Sequence, residues 1–269
     1  MSVRLRNNVT VSGTGPVTLI FAHGFGCDQV VWRFMAPAFE ARYRVLTFDL
    51  VGSGNSDLTA YDRKRYGTLH AYADDLLDII DEFADGPVVY VGHSVSAMIG
   101  MLAGIKAPER FLAQVMIAPS PSYIDDGDYR GGFSRGDIDE LLETMEANFL
   151  GWSSSMAPVI MGAPDQPQLA VELTNNFCRN EPEIAKHFGR VTFLSDHRAD
   201  LEHATVPTLI LQCTDDLIAP VEVGDYLHRK LAGSVLRQVR NTGHCPHLSA
   251  PQECTRLTQE FLDTLERHT

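Results

Sequence analysis

Short apolar runs alternate with longer amphipathic segments along most of the chain. The short runs are mostly rich in β-branched residues and are bounded by Gly, Pro or Asp, which is typical of buried strands. They are Val17–Ala22, Arg44–Phe48, Val88–Val91, Val115–Ala118, Thr208–Gln212 and Val235–Val239. Helical spacing of apolar positions is found at Leu69–Phe83, Val95–Ile105, Val221–Leu231 and Glu253–Leu265. Strands that alternate with helices predict a mostly parallel sheet flanked by helices, that is, an α/β fold.

The segment from about Ser122 to Asp196 interrupts this alternation. It begins with an apolar stripe at helical spacing on an otherwise acidic helix, formed by Ile138, Leu141, Leu142 and Met145. Further helical patterns follow at Trp152–Met161, Leu169–Phe177 and Pro182–Leu194. We therefore predict a four-helix cap, or lid, at 122–196, inserted in a core domain of residues 1–121 and 197–269. Such a cap would cover the carboxyl edge of the sheet, where open α/β sheets bind ligands. The alternative is an insertion with no site beneath it.

Composition and charge exclude several classes of partner and environment. The 269 residues are 44% hydrophobic and 21% charged, which is ordinary for a globular protein that needs no disulfide or metal to hold its core. A net charge of −13 disfavours nucleic acid and acidic membrane surfaces as partners. The five cysteines form no CxxC pair, and no apolar stretch reaches membrane-spanning length. We expect a cytoplasmic protein with free thiols.

The strongest chemical signal follows the strand predicted at Val88–Val91. There the chain reads GHSVS over residues 92–96 and runs directly into a predicted helix. This is the context of a nucleophile elbow, a strained turn that lifts a serine hydroxyl, here that of Ser94, above the sheet. Ser96 occupies the position at which the usual pattern has a second glycine. The alternative is that Ser94 only caps the helix.

A nucleophilic serine needs a base, and the base needs a carboxylate to orient it. Where the serine lies on such an elbow, the residues follow one another along the chain in the order Ser, then Asp or Glu, then His. Asp216 follows the strand Thr208–Gln212 and precedes Pro220 by four residues, so we predict it as the acid. Asp215 is the second choice and is more typical of a turn or cap.

His244 follows a glycine in the loop after the last predicted strand, and we predict it as the base. His247 enters a proline turn, where local contacts are the expected role. The His-x-x-His pair with Cys245 lacks a further ligand at metal-binding spacing, so we expect no metal.

Acyl transfer also requires an oxyanion hole made of two backbone N–H groups. One should come from Val95, directly after the nucleophile. The other should come from the loop after Val17–Ala22, where Phe25 stands between two glycines, and we predict its N–H as the second donor. We treat His23 in this loop as a structural residue.

Together these motifs resemble the α/β-hydrolase family, and within it the RsbQ-type bacterial hydrolases, which are similar to the plant strigolactone and karrikin receptor hydrolases. The resemblance covers nearly the whole chain, and VGSG at 51–54 favours the bacterial group. The motifs that carry it are His23–Gln29, Phe48–Asp57, Val91–Ala97, Ser120–Tyr123, Tyr129–Phe133, Leu211–Asp216 and Gly243–Ser249.

The resemblance implies the same nucleophile, acid, base and oxyanion donors. It also implies a cap of four helices in a V around a mostly apolar cavity, with the substrate-binding positions Phe133, Leu141, Met156, Leu173 and Phe193. The plant receptors carry Phe at several of these positions, whereas this chain has Met156 and Leu173, so their ligands are not carried over. The alternative for each of the five is ordinary helix packing.

We therefore expect a serine hydrolase that cleaves a small, largely apolar ester or lactone through an acyl-enzyme, with no cofactor. The alternative, implied by the resemblance, is a ligand-responsive regulator that activates a PAS-domain phosphatase of a sigma-factor pathway in stress signalling, with turnover incidental. The candidate partner-facing surface is the acidic cap helix, with Asp137, Asp139, Glu140, Glu143 and Glu146. The alternative is that this run of charge is an ordinary solvated face.

Overall fold

A single sheet of seven strands organises the protein. The computed structural model describes residues 2–266, and the strand order across its sheet is β1-β3-β2-β4-β5-β6-β7. All neighbouring pairs are parallel except β1 with β3. The strands are β1 Thr10–Ser12, β2 Val17–Ala22, β3 Tyr43–Phe48, β4 Val88–His93, β5 Phe111–Ile117, β6 Thr208–Asp215 and β7 Val235–Thr242. The predicted α/β fold is confirmed.

Helices cover both faces of this sheet. Those outside the insertion are α1 Val3–Arg6, α2 Leu69–Phe83, α3 Val95–Lys106, α8 Val221–Lys230, α9 Pro246–Ser249 and α10 Pro251–Glu266. Those between β5 and β6 are α4 Arg135–Ala147, α5 Phe149–Met161, α6 Pro167–Arg179 and α7 Pro182–Phe193. No helix among residues 2–266 is long and apolar enough to cross a membrane.

The sheet is buried on both faces, which explains the continuous apolar runs in the sequence. Successive side chains of a strand point to opposite faces. In β2, Leu19 and Phe21 therefore join one core cluster, whereas Ile20 and Ala22 join the cluster on the other face. A parallel sheet with two covered faces reads as an unbroken hydrophobic strand rather than an alternating one.

The four helices α4–α7, called the cap helices below, extend the core cluster that contains Leu19 and Phe21. The chain enters and leaves this segment at one place, where Ser122 and Asp196 form an antiparallel bridge and the N–H of His197 bonds the carbonyl of Pro121 at 2.8 Å. The division into a core domain and a cap domain stays a prediction. Met1 and residues 267–269, which the predicted core includes, lie outside the described residues.

Candidate active site

Ser94 lies in a strained turn between β4 and α3. Its backbone has φ 55° and ψ −122°, a left-handed conformation that costs a non-glycine residue roughly 1–3 kcal/mol. A Cβ atom at Gly92 would lie 2.5 Å from the carbonyl oxygen of Ser96, so the turn requires glycine there. Within the described chain the Ser94 hydroxyl makes no capping bond to α3. The turn has the geometry expected of a nucleophile elbow.

The three residues predicted as nucleophile, base and acid lie in one hydrogen-bonded chain. The Ser94 Oγ is 2.8 Å from Nε2 of His244, and Nδ1 of His244 is 2.7 Å from Oδ2 of Asp216. All three side chains are buried. The arrangement fits an imidazole that donates from Nδ1 to the carboxylate and accepts the serine proton at Nε2.

The carboxylate of Asp216 stays ionised despite its burial. Burial alone would raise its pKa, but the neighbouring His244 ring and its hydrogen bond oppose that effect. Backbone N–H groups of Ile218 and Ala219 also bond Oδ1 at 2.8 and 3.1 Å. The net result is a pKa below the usual value. Asp215, by contrast, is exposed, and its carbonyl accepts the N–H of Gly243 at 2.7 Å.

Both backbone polar groups of His244 are held in place. Its N–H bonds the carbonyl of Ile160 in cap helix α5, and its carbonyl accepts a hydrogen bond from Nε2 of His93, both at 2.8 Å. Burial and the nearby His244 lower the pKa of His93 to about 3, so its ring is neutral. The sequence analysis did not find this role of His93. Its position directly before the nucleophile was the available signal.

His247 has a packing role in this structure. Its ring is fully buried, with centroids 4.7 Å from that of Trp32 and 4.3 Å from that of His93. Neither ring nitrogen has a hydrogen-bond partner among the described residues. Burial, with the neighbouring His93, keeps its pKa well below the usual value. Within residues 2–266, no group of three His, Cys, Asp or Glu side chains is placed to hold a metal ion.

The two predicted oxyanion donors belong to adjacent turns at the carboxyl ends of β2 and β4. In the described part of the chain, the N–H groups of Phe25 and Val95 donate to no protein acceptor. The loop before Phe25 is held by the His23 ring, which lies 2.8 Å from the Gly24 carbonyl through Nδ1 and accepts the Leu50 N–H at 3.0 Å. His23 is thus a structural residue, and the oxyanion role of the two N–H groups stays a prediction.

A small, mostly apolar cavity of about 30 Å³ opens beside the Ser94 hydroxyl. Of the five predicted substrate-binding residues, Leu173 and Phe193 line it. Phe133, Leu141 and Met156 do not line it but are half-buried against the core cluster. The described side chains that line it are Phe25, Cys27, His93, Ser94, Tyr123, Ile160, Leu173, Phe177, Thr192, Phe193, Ile218, His244 and Cys245.

The Phe25 ring packs among aromatic side chains of the cap helices. It sits at the centre of the cap interior, with ring centroids 5.7 Å from Phe177 and 5.9 Å from Phe193. It also contacts the rings of Trp152 and Phe188, at 6.1 and 5.8 Å. Of these aromatic side chains, Phe25, Phe177 and Phe193 line the cavity next to Ser94.

Tyr123 is a further residue that the sequence analysis did not single out. Its hydroxyl lies 3.5 Å from the Ser94 Oγ, and burial raises its pKa to about 12, so it is a protonated phenol. Tyr123 follows β5, as Ser94 follows β4 and Asp216 follows β6. The ends of neighbouring parallel strands meet at one edge, and this rule could have identified it.

Comparison with known proteins relates the whole chain to one family. The chain is 42% identical to the karrikin insensitive 2 receptor CA of Petunia hybrida over 91% of each chain. It is 40% identical to a strigolactone esterase of Arabidopsis thaliana, over 95% of this chain and 96% of the relative. The structure of a hydrolase from Oleispira antarctica matches it with a TM-score of 0.94 and 40% identity, over 97% of this chain and 96% of that chain. The alpha/beta hydrolase family model matches residues 19–257. The chain is therefore a hydrolase that belongs to the alpha/beta hydrolase family.

Proposed function

We propose that the protein is a serine hydrolase that cleaves a small, largely apolar ester or lactone through an acyl-enzyme. The observation that carries the proposal is the unbroken chain of hydrogen bonds from Ser94 through His244 to Asp216. The Ser94 end of this chain lies at the cavity. The relatives named above include an esterase, which agrees with an ester substrate.

Each residue has a defined part in this mechanism. The Ser94 oxygen attacks the carbonyl carbon while its proton moves to Nε2 of His244. The ionised Asp216 stabilises the imidazolium and holds its Nδ1–H. The N–H groups of Phe25 and Val95 bind the developing oxyanion. Collapse of the tetrahedral intermediate expels the alcohol, which takes the proton from His244. A water molecule, deprotonated by His244, then cleaves the acyl-enzyme and restores Ser94.

The apolar lining of the cavity supports an apolar acyl or lactone group, and its small size favours a small one. A cavity of about 30 Å³ holds one or two water molecules, because a single water needs about 10–15 Å³ measured in this way. The rings of Phe25, Phe177 and Phe193 and the side chain of Leu173 are among its apolar lining. A larger substrate requires these side chains to move.

Covalent trapping tests the proposal directly. A serine-directed fluorophosphonate should label the protein once, on the peptide that contains Ser94, and Ser94→Ala should remain unlabelled. In a series of p-nitrophenyl esters, kcat/KM should fall from acetate and butyrate to decanoate, because the cavity is small. Labelling elsewhere, or cleavage that survives in Ser94→Ala, would contradict the proposed function.

The regulatory alternative is supported by the surface of α4. Its acidic residues Asp139, Glu140, Glu143 and Glu146 are exposed, and this charge would attract a basic surface on a partner. The double variant Asp139→Asn, Glu143→Gln should weaken retention of a PAS-domain phosphatase on the immobilised protein and leave ester cleavage near normal.

A cytoplasmic location also stays a prediction, and the five free thiols of the structure agree with it.

A further inference from the structure

One residue that lines the cavity carries a buried hydroxyl group with no hydrogen-bond partner among the described residues. Thr192, in the last turn of cap helix α7, is 1% exposed and lines the cavity. Its Oγ1 makes no hydrogen bond with any described residue. The hydroxyl of Ser94 is bonded to His244, and that of Tyr123 lies 3.5 Å from Ser94. Thr192 therefore differs from Ser94 and Tyr123, because its hydroxyl has no neighbouring polar group at hydrogen-bond distance among the described residues.

Helical threonines elsewhere in the cap satisfy their hydroxyl groups within their own helix. Thr144 bonds the carbonyl of Glu140, and Thr174 bonds the carbonyl of Ala170, both at 2.8 Å. This back-bond to the residue four positions earlier is the usual solution for Thr in a helix. Thr192 does not use it, so its hydroxyl has no partner within its own helix.

An unpartnered hydroxyl in an apolar site lowers stability, because it gives up its bonds to water without replacement. Valine has nearly the same shape and would line the cavity without that cost. In the proposed mechanism the N–H groups of Phe25 and Val95 bind the oxygen of the carbonyl that is cleaved, so they serve a different oxygen of the substrate. A second polar group of the substrate is what would satisfy Thr192.

We propose that Thr192 is a specificity-determining residue, whose hydroxyl bonds a second oxygen function of the substrate, such as a ketone, an ether or a further lactone oxygen. The inference rests on the proposed function and narrows it. The substrate is then a small ester or lactone that is apolar except for one additional oxygen group. Such a site discriminates against the all-hydrocarbon analogue, because that analogue leaves the buried hydroxyl unpaired.

A matched pair of variants separates this role from a merely structural one. Thr258 in α10 is also fully buried with an unpartnered Oγ1, but it does not line the cavity formed by the described residues. Thr192→Val and Thr258→Val therefore remove the same group from similar surroundings. Thr192→Ser keeps the hydroxyl and removes only a methyl group. Both valine variants should fold with a melting temperature equal to or above that of the wild type.

The substrates are p-nitrophenyl pentanoate and hexanoate, each compared with its oxo analogue, the 4-oxopentanoate and the 5-oxohexanoate. The wild type should favour at least one oxo ester over its hydrocarbon partner. Thr192→Val should lower kcat/KM for that oxo ester about 5-fold, mainly through KM, which is the size of one neutral hydrogen bond. The loss for the hydrocarbon ester should be clearly smaller, so that the preference for the oxo ester disappears. Thr192→Ser should keep the preference, and Thr258→Val should behave as the wild type.

Equal kcat/KM values for oxo and hydrocarbon esters in the wild type, or an equal loss for both in Thr192→Val, would overturn the role of Thr192. A second measurement does not depend on turnover. In a Ser94→Ala background, methyl 4-oxopentanoate should raise the melting temperature more than methyl pentanoate, and Thr192→Val should abolish the difference. If the wild type cleaves no ester at all, the proposed function fails, whereas this binding difference still decides the role of Thr192.

Discussion

The hydroxyl of Ser96 donates a 2.5 Å hydrogen bond to the backbone carbonyl of His23. This bond joins the turn that carries Ser94 to the loop that carries Phe25. The Ser96 carbonyl in turn accepts the hydroxyl of Tyr90 at 2.9 Å. A serine at position 96 thus links the turn of Ser94 to one of the two proposed oxyanion donors, which a glycine could not do.

Removing the Ser96 hydroxyl should impair both stability and catalysis. Ser96→Ala leaves the buried His23 carbonyl unpaired, which costs roughly 1–3 kcal/mol. Since the loop with Phe25 loses an anchor, we expect kcat to fall more than KM changes. Urea unfolding and ester kinetics measure the two effects. Ser153→Ala is the control, because Ser153 is equally buried and its hydroxyl has no partner among the described residues. A loss of stability no larger than that of the control would contradict the anchoring role.

Asp216→Asn should lower kcat/KM for an activated ester by about 10⁴-fold, because an amide favours the wrong tautomer of the base. Asp215→Asn should do much less, since Asp215 is exposed and only its backbone carbonyl is used, by Gly243. Steady-state kinetics of both variants, with circular dichroism to verify folding, decide the assignment. A larger loss in Asp215→Asn than in Asp216→Asn would mean that Asp215, and not Asp216, is the acid that orients His244.

Ser94→Ala should abolish ester cleavage while the melting temperature changes little. The alanine keeps the strained backbone at φ 55°, whereas Ser94→Gly relieves it and should be more stable than the alanine variant by roughly 1 kcal/mol. Calorimetry of the two variants measures this difference. If a folded Ser94→Ala protein still activates a PAS-domain phosphatase fully, cleavage is incidental and the regulatory alternative takes its place.

The buried histidines should make the protein sensitive to acid. The pKa of His93 falls from 6.5 to about 3 in the fold, and that of His247 also lies well below its usual value. Below pH 6.5 the unfolded chain therefore binds protons that the folded protein does not, so stability falls as the pH is lowered. The slope approaches about 1.4 kcal/mol per pH unit for each histidine.

Urea unfolding at pH 7, 6 and 5 tests this pH dependence. The stability of His247→Leu should fall less steeply with decreasing pH than that of the wild type. The reason is that the variant lacks one of the two histidines that stay neutral in the fold and take up a proton on unfolding. An identical slope in His247→Leu and the wild type would show that His247 is protonated in the fold.

The sequence by itself determined the order and type of most elements and the candidates for the three central residues. The runs at Val17–Ala22 and Leu69–Phe83 coincide with β2 and α2, because their periodicity is a local property of the chain. Ser94 and Asp216 could be selected because the carboxyl ends of parallel strands meet at one edge of a sheet. The edge strand Thr10–Ser12 was missed, since three partly exposed residues leave no pattern.

Only the tertiary structure decided which side chains face the cavity and which groups hold the site in place. Leu173 and Phe193 line the cavity whereas Phe133, Leu141 and Met156 do not, because this depends on how each cap helix is rotated and where the Phe25 ring lies. The bonds from His93 to the His244 carbonyl and from His244 to the Ile160 carbonyl span 151 and 84 positions of the chain. Contacts of that separation arise from the way the cap and the sheet pack, and local periodicity carries no information about them.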